Sequence, residues 1–139
     1  MNKKRALINY LNIQEKVYPK TTDISVSCYD NSLFEYGSRD YLVLTDKEAD
    51  EKAKEYILDT AWAFNTWFLA SYMPEGVTEE VLKAIQEKCE SGNEAILAMI
   101  KDKDGFVDDA ILADGRGHFI SFYDGNEYDV GDYFIYRIN

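Results

Sequence analysis

At Thr45 the hydrophobic period of the chain changes from two to about 3.6. Upstream, in DISVSCYDNSLFEYGSRDYLVL, Ile24, Val26 and Cys28 alternate with Ser25 and Ser27, Asp30-Asn31 supplies one turn and Gly37 a second reversal. That pattern predicts a three-strand meander whose last strand runs from about Tyr41 to Leu44. Immediately after it, TDKE at Thr45–Glu48 has the form of a capping box, in which the threonine hydroxyl accepts from the Glu48 amide while the Glu48 carboxylate reaches back. A helix is expected to start there and to run to about Ser71, stopping before Pro74-Glu75-Gly76. Its main apolar face is Ala49, Ala53, Tyr56, Ile57, Thr60, Ala61, Phe64 and Phe68. From Leu58 through Trp62 to Leu69 the opposite side is apolar too, as in a central element packed on two sides.

The rest of the chain continues the helical period and then abandons it. Thr78 caps a second helix with Val81, Leu82, Ile85 and Cys89 inward. Ala95, Ile96, Met99 and Ile100 mark a third helix, and Phe106, Val107, Ala110 and Ile111 a short fourth. The end reads as a strand, HFISFY, a turn-rich connection, DGNEYDVGD, and a second strand, YFIYRI. Strands, then helices, then strands predict an α+β fold: an antiparallel sheet from the N-terminal meander and the C-terminal hairpin, with a long central helix and shorter helices packed on one face. A chain of 139 residues with 46% hydrophobic content is expected to fold as one domain, residues 1–139. KKRALINYLNI at the start suggests a short helix ending before Pro19. No apolar run approaches a membrane span and the N-terminus lacks a signal-peptide core, so the expected location is the cytoplasm.

Charge narrows the partners. Residues 1–22 carry Lys3, Lys4, Arg5, Lys16 and Lys20 against Glu15, a basic N-terminal arm of +4, which leaves −15 on the rest of a chain whose net charge is −11. An acidic body repels nucleic acid, so direct binding to it is not expected; its natural partners are basic surfaces, including the positive grooves of proteins that handle nucleic acid. Glu48, Glu51, Glu55 and Asp59 are spaced to share one face of the long helix over about 16 Å. Like charges four apart disfavour a helix by a few tenths of a kcal/mol, and no basic residue lies four positions after Glu51 or Glu55. Such a row can meet a basic groove as a phosphate backbone would, or be an ordinary solvated face. Trp62, Trp67 and Tyr72 are the candidate aromatic anchors, provided they are exposed.

Chemistry-bearing motifs are few. ADGRGHFISFYDGNEYD, Ala113–Asp129, contains the only histidine. Its Gly115 and Gly117 follow a helix and precede the expected strand, which is the wrong context for a dinucleotide fingerprint and suits a helix stop and a chain reversal. An acid/base site can be drawn there from His118, with Asp114 or Asp124 orienting the ring and Arg116 holding an anion, but no nucleophile stands in a recognisable setting. DKDG at Asp102–Gly105 lacks the later ligands of a calcium loop and reads as a turn into an acid-rich first helical turn. Cys28 and Cys89, with one histidine in the chain, assemble neither a zinc framework nor a redox motif, and both are expected as small buried hydrophobes. Neither a cofactor nor a metal is expected.

The segments FEYGSRDYLVLTDKEADEKAKEYI, WAFN, ADGRGHFISFYDGNEYD and YFIYRIN together resemble a family of small proteins encoded by bacteriophages and integrated mobile elements, over about Phe34 to Asn139. The resemblance implies no activity and assigns no catalytic residue. It implies a setting, the bacterial cytoplasm during infection, where small acidic proteins that obstruct restriction or CRISPR machinery are a common class. The leading expectation is a non-enzymatic protein whose residues Glu48, Glu51, Glu55, Asp59 and Trp62 engage a basic host protein. The rivals are a small-ligand or hydrolytic module at the Asp114–His118 corner, and a self-associating accessory protein with Leu58, Trp62 and Leu69 as a homodimer seam.

Overall fold

In the computed structural model, which describes residues 1–139, strands β1 (Ile24–Val26), β2 (Leu33–Tyr36) and β3 (Arg39–Leu44) form the predicted meander, although β1 stops short of Cys28 and of Ile24, Val26 and Cys28 only Ile24 is buried. β1–β2 and β2–β3 pair antiparallel, with Ile24 opposite Tyr36 and Phe34 opposite Tyr41. Gly37, at φ +61°, makes the tight reversal between β2 and β3, a conformation that glycine adopts without steric cost. The C-terminal strands β4 (Tyr128–Val130) and β5 (Tyr133–Arg137) form a hairpin, and β5 pairs antiparallel with β3, giving the order β1-β2-β3-β5-β4. The class is therefore α+β, with one five-stranded antiparallel sheet built from the N-terminal meander and the C-terminal hairpin.

The chain forms two compact units, Met1–Ala53 with Gly115–Asn139, and Lys54–Asp114. In the first, helix α1 (Lys3–Tyr10) lays Ala6, Leu7, Ile8 and Tyr10 on the sheet face of Phe34, Tyr41, Val43 and Ile135. Residues 1–22, expected as a basic arm, thus begin with a helix docked in a core; burying side chains such as Leu7 is worth about 2 kcal/mol each. Leu42, Leu44 and Tyr136 on the other sheet face are buried as well, which is why β3 reads as the unbroken apolar run YLVL.

Lys3 of α1 turns inward and explains part of the capping box. The Thr45 amide donates to Glu48 Oε1 at 2.8 Å and the Glu48 amide to Thr45 Oγ1 at 3.2 Å, so helix α2 (Asp46–Asp59) starts as the sequence predicts. Lys3 Nζ donates to both Glu48 oxygens at 2.9 and 3.0 Å. Partial burial opposes ionisation of Glu48, but Lys3 and the Thr45 amide and hydroxyl outweigh it and hold the carboxyl below its usual range. A depressed folded-state value contributes stability above the unfolded value, about pH 4.3, that is lost as pH falls through the folded one. Thr45→Ala is expected to cost about 1 kcal/mol, and Glu48→Gln to flatten the acid limb of stability; urea unfolding at neutral and acid pH measures both.

The long helix stops twelve residues short of the expected Ser71. Thr60 Oγ1 donates back to the Tyr56 carbonyl at 2.7 Å, and residues Ala61–Ala63 form a 3₁₀ turn before helix α3 (Thr66–Ala70). Asn93 holds the break together: its Nδ2 donates to the Leu58 carbonyl at 2.9 Å and its Oδ1 accepts from the Trp62 amide at 3.0 Å. Backbone groups freed by the interruption thereby keep partners, which removes the usual penalty for breaking a helix.

Helices α4 (Glu79–Gln86), α5 (Asn93–Met99) and α6 (Lys103–Asp114) complete this second unit. Thr78 caps α4 through the Val81 amide, as expected. Val81 itself, expected inward, is exposed, while Leu82 is fully buried with Ile57, Leu69, Ile96 and Phe106. Phe106 is the hub of an aromatic cluster, with ring centroids 5.1 Å from Phe64, 5.5 Å from Phe68 and 5.4 Å from Tyr72. Asp102 caps α6 by accepting from the Gly105 amide at 3.0 Å, so DKDG is the turn into a helix that the sequence suggests.

HFISFY is not a strand. Arg116–Ile120 forms the short helix α7, with Phe119, Ile120 and Ser121 buried in succession and Phe122 and Tyr123 exposed. Three consecutive buried residues do not fit the period of two that one covered sheet face requires. The first hairpin strand starts five residues past Tyr123, at Tyr128–Val130. Gly115, at φ +84°, ends α6 as expected, whereas Gly117 is helical and close-packed rather than a reversal: a Cβ there would lie 2.4 Å from the Gly125 carbonyl oxygen.

Candidate functional site

At the Asp114–His118 corner, the arginine is held by the fold. Arg116, with its side chain 11% exposed, donates from Nη1 to Asp46 Oδ1 at 2.8 Å, Asp50 Oδ1 at 3.0 Å and the Asp46 carbonyl at 3.1 Å, and from Nε to Glu127 Oε1 at 2.8 Å. Its guanidinium also lies 4.6 Å from the Phe134 ring centroid. An arginine already shared among three carboxylates is not placed to hold an anionic substrate. Burial disfavours its charge, but Glu127 and Asp46 more than compensate and raise its pKa further. Glu127 also accepts from the Tyr136 hydroxyl; burial, then this hydrogen bond, keep that phenol protonated well above its ordinary range.

Asp124 Oδ1 accepts from Ser121 Oγ at 2.8 Å and from the Asn126 amide at 3.0 Å, which fixes the turn before β4. It orients a backbone and not an imidazole. His118 is exposed, its ring edge-on to the neighbouring Phe119, and Asp114 is exposed at the end of α6. The structure thus gives three of the four drawn residues no catalytic partner and spends the fourth, Arg116, on the fold. A second, partly buried network, which sequence reasoning missed, joins Glu15 to Arg137 Nη1 at 2.7 Å and to the Tyr41 hydroxyl. Its members lie up to 122 positions apart, a separation at which no local spacing links them.

The acidic residues of α2 differ among themselves. Both Glu48 oxygens are occupied by Lys3 and Thr45. Glu51 is exposed with Lys47 at 4.0 Å, a pair worth little in solvent. Glu55 and Asp59 are exposed. They belong to the Lys54–Asp114 unit, where five lysines stand against thirteen carboxylates, so that 61 residues hold −8 of the chain's −11.

The same unit contains both tryptophans. Trp67 on α3 is 66% exposed, and the preceding Thr66 donates to Glu79 Oε1 at 2.8 Å, which brings one carboxylate close to it in sequence. Trp62 is only partly exposed, with its indole Nε1 sealed from solvent and without an acceptor. Leu69 is fully buried, which takes it out of the expected Leu58–Trp62–Leu69 seam. Both cysteines, expected inside, are exposed, Cys89 at φ +54° just beyond α4. Helical spacing past Ile85 misleads for Cys89 because α4 has already ended at Gln86.

No helix is long and apolar enough to cross a membrane. Comparison of the chain with protein-family models, with curated proteins and with solved structures gives no match.

Proposed function

We propose that this chain is a non-enzymatic acidic binding protein whose Lys54–Asp114 unit engages a basic surface of another protein. The observation that carries the reading is the coincidence, in that unit, of a −8 charge with a tryptophan exposed at 66%. Large exposed aromatics cost solubility and are concentrated at interaction surfaces, where they serve as anchors inside a polar rim. Carboxylates of the same unit, including the exposed Glu55 and Asp59 on α2 and Glu79 beside Thr66, would steer a cationic partner and set its register. The resemblance to phage and mobile-element proteins supplies the setting: a bacterial host cell, with a nucleic-acid-handling host protein as the partner and imitation of nucleic acid as the mode.

An affinity pull-down of tagged protein from bacterial lysate at low and at high salt tests this. Retention of a basic nucleic-acid-handling protein at low salt only is the expected result, because exposed charges more than a Debye length apart, about 10 Å at 0.1 M, are screened. Capture that survives high salt, or capture of none, counts against it. With the partner in hand, Glu55→Lys with Asp59→Lys is expected to weaken binding at least tenfold, mostly through a slower on-rate, with unchanged circular dichroism. Unaltered affinity removes α2 from the interface.

A further inference from the structure

Within the acidic Lys54–Asp114 unit lies a pocket of about 500 Å³ formed by residues 62–66 with Lys83 and Gln86. Its origin is the break in the long helix: the 3₁₀ turn at Ala61–Ala63 and the extended Phe64 open a space facing α4, where Lys83 and Gln86 stand one turn apart. Gln86 Nε2 donates to the Phe64 carbonyl at 2.6 Å and fixes the wall. The volume lies in the range of small-molecule sites, about 300–1,000 Å³.

The lining has an unusual charge for its surroundings. In a unit with thirteen carboxylates it contains none, and its only ionisable group, Lys83, forms no ion pair, although Glu79 and Glu87 lie one helical turn away on either side. Trp62 has no donor to offer, since its Nε1 is sealed. The Thr66 hydroxyl is given to Glu79. The polar side chains of the lining that make no hydrogen bond or ion pair are therefore Lys83 and Asn65, the latter capping α3 without a side-chain hydrogen bond. The remaining walls are Trp62, Ala63 and Phe64.

We propose that this pocket binds a small planar organic anion, an aromatic carboxylate in chemical class, with its ring against Trp62 and Phe64 and its carboxylate on Lys83 and Asn65. An ammonium provides three donors and no acceptor, so it selects the anion, and aromatic walls favour a flat ring over an aliphatic acid of equal charge. A cation is disfavoured by Lys83, and an inorganic anion leaves the apolar wall uncovered. The site is independent of the partner-binding reading.

The test uses the full-length protein carrying Trp67→Phe, so that Trp62 is the sole tryptophan. Benzoate, benzamide and acetate are titrated at constant ionic strength, reading Trp62 fluorescence and the amide resonances of residues 62–66. Saturable benzoate binding with a dissociation constant of about 1 mM or tighter is expected. Benzamide, acetate, and benzoate added to the Lys83→Met variant should each bind at least tenfold more weakly, as loss of a charge-assisted hydrogen bond implies. Equal responses to benzoate and benzamide, no loss in Lys83→Met, or no saturable shift at residues 62–66 would overturn the proposal. The titrations read a small anion at residues 62–66 and the lysate capture a macromolecular partner, so either can fail without the other.

Discussion

Replacing Gly117 with alanine is expected to destabilise the unit containing the sheet by about 2–3 kcal/mol. The added Cβ would stand 2.4 Å from the Gly125 carbonyl oxygen, 2.8 Å from the Asn126 carbonyl carbon and 3.0 Å from the Glu127 amide nitrogen. All three are backbone atoms, so no rotamer change relieves the overlap; α7 or the 125–127 turn has to move. Overpacking of this kind costs about 1–3 kcal/mol and occasionally more, while alanine regains at most about 1 kcal/mol of helix propensity. The upper part of the range applies because moving the turn also moves Glu127, a partner of both Arg116 and Tyr136. His118→Ala, one position away at an exposed site, is expected to stay within about 0.5 kcal/mol of the parent. Urea unfolding of the two variants separates the readings of this corner. Equal, small effects would mean that the close approach of α7 to the turn does not exist.

That contrast also shows what the sequence can and cannot convey. The capping box at Thr45–Glu48 was legible because it is a contract between residues three apart, and the meander because turns and alternation are local. The same reasoning assigns HFISFY to a strand, since His-Phe-Ile-Ser-Phe-Tyr has strong β propensity. What overrides propensity is the fit of Gly117 against a turn eight positions later, a tertiary contact with no local signature. The early end of α2 is of the same kind. Thr60 weakens the helix locally, but the break is made tolerable by Asn93, 31 positions from the Trp62 amide that it accepts from. For the candidate site, net charge and the presence of the tryptophans could be read in advance. Which tryptophan is exposed could not, because Trp62 and Trp67 occupy equally apolar sequence contexts and are distinguished only by where the helix stops.

The largest effect is expected from Arg116→Ala, about 3 kcal/mol. Asp46 and Asp50 are 74% and 60% exposed, so solvent screens their share of the pairing, and each contributes no more than about 1 kcal/mol. Most of the loss arises elsewhere. The Glu127 side chain is 30% exposed and would face the Tyr136 hydroxyl with its cation gone, the Asp46 carbonyl would lose a donor, and Phe134 would lose the guanidinium stacked over its ring. Breaking a buried pair by removing one member costs about 3–5 kcal/mol, because the survivor keeps its desolvation penalty without compensation; the exposure of all three carboxylates, Glu127 included, places this case at the bottom of that range. Arg116→Lys is expected to recover less than half of the loss, since a single ammonium cannot reproduce donation from Nε and Nη1 in different directions. Removing the charge on both sides, in Arg116→Met with Glu127→Gln, should be less destabilising than Arg116→Ala alone. Chemical denaturation of the four proteins measures this ordering. If Arg116→Ala instead unfolds at the parent's urea midpoint, the guanidinium is free in solution, and its claim to an anionic ligand at the His118 corner would have to be reopened.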